Sequence, residues 1–162
     1  MTNGVSIRTA RLSDSRAIAE LTTQLGYEVP LSTLTERLGH LLAKDDQEFM
    51  VAELDDEVVG WVHVGLTENI DTGPYAQIGG LVVNRRYRKK RIGRALMERV
   101  EEWSRERGCS VIRLWSSAFR TDAHRFYEHL GYTNVKTQYS YVKSIGSAGE
   151  EAIRAFIPRV NP

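Results

Sequence analysis

The chain reads as a mixed α/β protein, in which a leading antiparallel hairpin gives way to strands that alternate with helices. Three observations predict this class. Glu48–Leu54 and Val58–Leu66 are β-rich runs joined by the turn Asp55-Asp56-Glu57, a hairpin signature. Gln77–Val83, Ser110–Trp115 and Val135–Val142 are further strand patterns, each separated from the next by a helical one. The longest of those helical patterns carries Ile92, Leu96, Val100 and Trp103 at a spacing of about four and stops at Gly108.

The remaining elements follow in order. Val5–Thr9 reads as a first strand. Ser13 and Asp14 can cap a helix to about Gln24, with Ile18 and Leu21 on one face and Gly26 past its end. Pro30 separates a second helix, where Thr33 and Glu36 have capping-box spacing and Leu34, Leu38, Leu41 and Leu42 form the buried face. Thr67–Pro74 is polar and turn-rich, hence a loop. Asp122 can cap a shorter helix ending at Leu130-Gly131, and Val135–Val142 is expected to close the sheet. With no repeat and no low-complexity linker, 1–143 reads as a single domain and 144–162 as a tail. The tail holds one more helical pattern, with Ser147 and Glu150 in capping-box positions and Pro158 as terminator. Its apolar side (Ala148, Ala152, Ala155, Phe156) is expected to dock on its own domain, with a homodimer contact as the alternative.

Composition narrows the partners. In 162 residues the formal net charge is only +1, which argues against a nucleic-acid binder. Cys109 is the single cysteine, so no intrachain disulfide is possible and a cytoplasmic location is the simpler expectation. No secretory leader is legible, and no apolar run approaches the roughly 20 residues of a membrane-spanning helix.

The positive charge is local. Arg85, Arg86, Arg88, Lys89, Lys90, Arg91 and Arg94 crowd the turn between a strand and the long helix. The first turn of a helix offers N–H groups without intrahelical partners, and the macrodipole adds partial positive charge there. A basic, glycine-containing strand-to-helix turn is therefore an anion receptor, and a pyrophosphate is its natural guest.

Three segments, in order, carry a family resemblance over about residues 6–143. They are Ile7-Arg8-Thr9-Ala10-Arg11-Leu12-Ser13-Asp14, then Leu81-Val82-Val83 with Arg88-Lys89-Lys90-Arg91-Ile92-Gly93-Arg94-Ala95, then Ala123-His124-Arg125-Phe126-Tyr127-Glu128-His129-Leu130-Gly131-Tyr132. The chain resembles the GNAT superfamily of acyl-coenzyme A dependent N-acyltransferases. The resemblance implies a GNAT-type fold, with antiparallel N-terminal strands followed by parallel, splayed strands flanked by helices. It implies acetyl-coenzyme A as cosubstrate, with no metal, and a small-molecule or peptide amine as acceptor. Backbone N–H groups from Arg88, Lys89, Lys90, Arg91, Ile92, Gly93, Arg94 and Ala95 would hold the pyrophosphate. The strand Leu81, Val82, Val83 would pair with the pantetheine amides as an added strand does. Tyr127 would protonate the departing thiolate.

Two positions depart from the family pattern. Arg91 stands where the loop has its first glycine, which suits a side chain if φ there is negative. Gln77 stands near where several relatives place a carboxylate base, and an amide takes no proton at neutral pH. The base is then sought among His63, Glu68, Asp71 and Tyr75, with His63 having the fitting unperturbed pKa and also the ordinary reading of a strand hydrogen-bonder. Glu28, in the loop between the first two helices, lies where relatives often bind the acceptor, and it reads either as attracting a cationic amine or as ordinary surface. Gly79-Gly80, inside a strand, signals either a bulge, which in relatives aims an N–H at the thioester carbonyl, or a packing requirement.

Other chemistries lack their motifs. There is no G-x-S-x-G elbow and no P-loop, and His40, His63, His124 and His129 have no metal-ligand spacing. The expectation is transfer of an acetyl group to a primary amine by direct attack in a ternary complex. The alternatives are a non-catalytic acyl-coenzyme A sensor, motivated by Gln77, and an RNA-binding domain using the basic turn.

Overall fold

A computed structural model describes residues 4–157, which fall into two compact units, one ending at Leu114 and one beginning at Trp115. The first holds a five-stranded mixed sheet in the order β1-β2-β3-β4-β5. Its strands are β1 (Val5–Thr9), β2 (Gln47–Leu54), β3 (Glu57–Asn69), β4 (Gly73–Val83) and β5 (Ile112–Arg113). The first four pair antiparallel, and β5 runs parallel to β4. Among the described residues no helix is long and apolar enough to cross a membrane.

Helices α1 (Ser15–Leu25) and α2 (Leu31–Leu42) cover one face of the sheet. Ile18, Leu21, Leu34 and Leu38 form one cluster with Phe49, Val51, Trp61 and Val82. Side chains alternate along a strand, so Met50, Ala52, Val62 and Val64 point to the opposite face. There α3 (Ile92–Glu106) contacts β1 through β4 and buries Ile92, Leu96, Met97, Val100 and Trp103. Each such aliphatic side chain contributes about 1.5–3 kcal/mol on full burial, so the helix is firmly seated and its N-terminus is a fixed platform.

Several local readings are revised. A 3-10 turn over Leu12–Asp14 precedes α1, and Asp14 accepts from the Arg11 N–H at 2.7 Å instead of capping α1 itself. The α2 capping box does not form, because Pro30 starts the helix early and leaves Thr33 and Glu36 in its interior. The hairpin turn needs only Asp55 and Asp56, both at positive φ (50° and 63°), the pairing that matches strand twist. The loop foreseen at Thr67–Pro74 is mostly strand: Thr67 pairs with Tyr75 and Asn69 with Gly73, and Asn69 Nδ2 donates to the Tyr75 hydroxyl at 3.1 Å. Ser110–Trp115 contracts to the two residues of β5.

The second unit contains α4 (Thr121–His129), ended by Gly131 at φ 91°, and no side chain caps its start, so the Asp122 cap is not made. Taken by itself, this unit shows no regular element over 135–142, where a strand was expected. The tail helix is shorter than its pattern, with α5 over Gly149–Ala152 and a 3-10 turn over Ile153–Phe156. Ser147 and Glu150 make no capping box there, since Ala148 is the capping residue. The expected terminator Pro158 lies outside the described residues.

Candidate active site

The first unit brings the basic turn, the bulged strand β4 and His63 onto one connected piece of structure. β4 pairs with β5 only at Ala76–Ile112 and Gln77–Arg113, and among the described residues of this unit no strand pairs with that edge of 78–83. Leu81, Val82 and Val83 therefore keep a free strand edge on the β5 side, while their other edge is bonded to β3. An extended amide-bearing ligand can add to such an edge as a strand would.

Beyond β4, Asn84 caps a 3-10 turn over Arg85–Tyr87, its Oδ1 accepting from the Arg86 N–H at 3.1 Å. The Arg85 N–H donates to Gln24 Oε1 at 3.0 Å, tying the turn to the end of α1. The Tyr87 hydroxyl donates to Glu57 Oε2 at 2.8 Å, and the Lys90 ammonium sits 5.5 Å from the Tyr87 ring centroid. Lys89 and Arg91 both adopt the left-handed region, with φ 66° and 59°. Left-handed residues next to right-handed ones turn successive amide N–H groups to one side, the arrangement that cradles anions. No acidic residue occupies the first turn of α3.

Two expectations about this cradle change. The Ala95 N–H donates to the Arg91 carbonyl at 3.0 Å, so it is used by the helix and the open donors end at Arg94. Arg91 does not have the negative φ a side chain favours; it caps α3 in the left-handed conformation, which costs roughly 1–2 kcal/mol for an L-residue. Arg91→Gly should relieve that strain and, after the added freedom of the unfolded chain, raise stability by about 1 kcal/mol. Thermal unfolding would show this as a rise of about 2–4 °C; an unchanged or lower midpoint refutes the strain.

Gly79-Gly80 proves to be both a bulge and a packing device. Val64 pairs with Ile78 and His63 with Gly80, which leaves Gly79 as the extra residue on β4. A Cβ on Gly80 would meet the Trp61 ring at 2.7 Å, and one on Gly79 would overlap His63 Nδ1. His63 stacks on Phe49 (centroids 5.9 Å apart, 23° between planes) and its Nε2 lies 2.7 Å from Gln47 Oε1. Burial pushes the imidazole below its ordinary pKa, and the Lys44 charge pushes the same way, so the ring is neutral at neutral pH. Gln77 donates its Nε2 to the Ile78 carbonyl at 3.0 Å, and its buried Oε1 has no hydrogen-bond partner.

In the second unit, the Tyr127 ring sits edge-on to Phe126 (5.1 Å) and Tyr132 (5.9 Å). Burial pushes its phenol up to about 12, against an opposing effect of Arg120. The hydroxyl thus stays protonated throughout the neutral range. Among the described residues no group of three His, Cys, Asp or Glu side chains could hold a metal ion. Cys109 is buried.

Sequence reasoning missed Gln47, Gly65, Gln24 and Glu57. Their roles are cross-element contacts, and the hairpin register that sets Gln47 opposite Gly65 was the only available signal.

The fold and this site define a protein class: a mixed-sheet domain with a bulged, half-open strand running into a basic turn at a helix N-terminus. The acetyltransferase (GNAT) family model matches residues 15–132, and the chain belongs to that family. It is similar to aminoglycoside N(6')-acetyltransferase type 1 of Stenotrophomonas maltophilia, with 28% identity over 78% of this chain and 85% of the relative. An uncharacterised N-acetyltransferase of Methanocaldococcus jannaschii is 26% identical over 65% of this chain, a match spanning only 47% of that relative. Among solved structures, the fold resembles aminoglycoside 6'-N-acetyltransferase AAC(6')-Ih of Acinetobacter baumannii (TM-score 0.78, 20% identity, 88% of this chain and all of that one). AAC(6')-Iy, solved in complex with a bisubstrate analogue of coenzyme A and acetylneamine, is alike at TM-score 0.78 and 19% identity, over 86% of this chain and 98% of that one.

Proposed function

We propose that the chain transfers an acetyl group from acetyl-coenzyme A to a primary amine of a small acceptor, by direct attack within a ternary complex. The observation that carries this reading is the free β4 edge at 78–83 leading into the amide cradle at Arg88–Arg94. The edge suits the pantetheine amides and the cradle suits the pyrophosphate, with surrounding cations for the remaining phosphate. In this reading an N–H at the Gly79 bulge would face the thioester oxygen. Tyr127 is the acid of this reading and His63 the group that takes the amine's proton. The aminoglycoside enzymes among the relatives support a small cationic amine as acceptor, and Glu28 would attract it.

Acetyl-coenzyme A at about 100 times its dissociation constant should add roughly 2.7 kcal/mol. For a chain of this size that is a rise of about 5–10 °C in melting temperature. Thiol release across a panel of aminoglycosides, polyamines and amino acids then identifies the acceptor. No shift with the coenzyme overturns the reading.

The Gln77 amide favours a second reading, a non-catalytic acyl-coenzyme A sensor, because no carboxylate base stands there. A coenzyme-induced shift with no amine-dependent turnover would decide for it.

A further inference from the structure

Resting on that reading, we infer that Gln47 is the positioning residue that makes His63 a one-sided base, with Nε2–H held by the amide and Nδ1 turned to the exposed bulge at Gly79. Gln47 stands across the β2–β3 pair from Gly65, and a Cβ at Gly65 would lie 2.5 Å from both Oε1 and Nε2 of the Gln47 side chain. The missing side chain at 65 is the space the amide needs to reach diagonally to His63. A second missing side chain, at Gly79, is the space His63 Nδ1 occupies. Phe49 stacks on the ring and holds its plane.

Two glycines on two strands thus clear room for one hydrogen-bonded pair, at the point where β4 bulges. A neutral imidazole has one N–H and one lone pair, and the partner of the first decides where the second points. Gln47 Oε1 accepts from Nε2–H at 2.7 Å, so the lone pair is on Nδ1 beside Gly79. Lys44, in the connection before β2, is the charge acting on the ring. Gln47 and Phe49 from β2 and Gly79 and Gly80 from β4 bring no charge to it.

The step balances simply. The amine nitrogen bonds to the thioester carbonyl carbon as the carbon–sulfur bond breaks. The nitrogen gives one proton to His63 Nδ1, and the thiolate sulfur gains one from solvent. The products are the amide and the free thiol, and the imidazolium returns its proton to water.

The pH profile of kcat and the imidazole 15N shifts test the pair together. Nitrogen shifts of the wild-type protein should report the Nε2–H tautomer. Gln47→Glu places a carboxylate on Nε2–H and should move the acid limb of kcat upward by about 1 unit or more. Gln47→Leu should lower kcat at least about 10-fold with the acetyl-coenzyme A dissociation constant unchanged. A merely structural Gln47 would change melting temperature and leave the acid limb in place, and that outcome overturns the inference. An Nδ1–H tautomer in the wild-type protein overturns it as well. Absence of thiol release by coenzyme-bound wild-type protein overturns the proposed reaction and the base with it, whereas release with an unmoved limb overturns the base alone.

Discussion

Exchange of Tyr127 for phenylalanine is expected to lower turnover about 100- to 1,000-fold while acetyl-coenzyme A binds as before, the size of loss seen when one donor to a developing anion is removed. The reasoning starts from the proton's position. A free thiol has a pKa of about 8.5, and burial sets the Tyr127 phenol at about 12. Complete transfer of the phenolic proton to the thiolate would run uphill by roughly 5 kcal/mol at about 1.4 kcal/mol per unit. In the proposed reaction Tyr127 would donate a hydrogen bond to sulfur as charge develops, and solvent would complete the protonation. The same burial that weakens it as an acid strengthens that hydrogen bond, because little water competes. Turnover should show no loss from phenol ionisation up to about pH 11. Comparing kcat with the coenzyme dissociation constant checks the role: equal loss in both would mean the ring packs and does not catalyse.

Arg8→Ala is expected to cost about 3 kcal/mol, because it strips a buried carboxylate of its partner. Arg8 binds Asp14 through two nitrogens, at 2.8 and 3.0 Å, and reaches Glu53 Oε2 at 2.7 Å. Asp14 is only 8% exposed and keeps just the Arg11 N–H once Arg8 is gone. The midpoint of thermal unfolding should fall by about 6–12 °C. Arg8→Lys should recover part of this, since the charge returns without the planar fork. The pH dependence has a definite sign. The Arg8 guanidinium, first by hydrogen bonding, holds the Asp14 carboxyl below its usual 3.8. Its stabilisation is then fully present above about 3.8 and is lost as pH falls through the lower folded value. The wild-type protein should lose this increment in acid, and Arg8→Ala should show a flatter acid limb. Parallel acid limbs would refute the linkage. The network ties β1, the turn before α1 and β2 together, so coenzyme affinity measured well below the melting range should not change.

Much of the architecture was legible because its signals are local. Apolar spacing at Ile92, Leu96, Val100 and Trp103 marked α3, and all four are buried. Two β-rich runs and the turn read at Asp55-Asp56-Glu57 marked the β2–β3 hairpin, whose turn the structure narrows to Asp55 and Asp56, both left-handed. Strand ends were less legible. β3 and β4 run on through Thr67–Asn69 and Gly73–Gln77 because each supplies the other's hydrogen bonds, a cross-strand effect that no single segment announces.

The amino-acid order by itself determined the basic strand-to-helix turn, since charge, glycine and the helix start are contiguous between Arg85 and Ala95. It determined the family as well, because the motifs are linear. What only the folded chain decided lies across strands. Gln47 meets His63 sixteen positions away, and Gly65 and Gly79 matter for the space they leave to side chains on neighbouring strands. Arg91 takes a left-handed φ that its side chain disfavours, where the chain enters the seated helix α3. Hydrogen bonding and volume act between neighbours in space, and the sequence lists only neighbours along the chain.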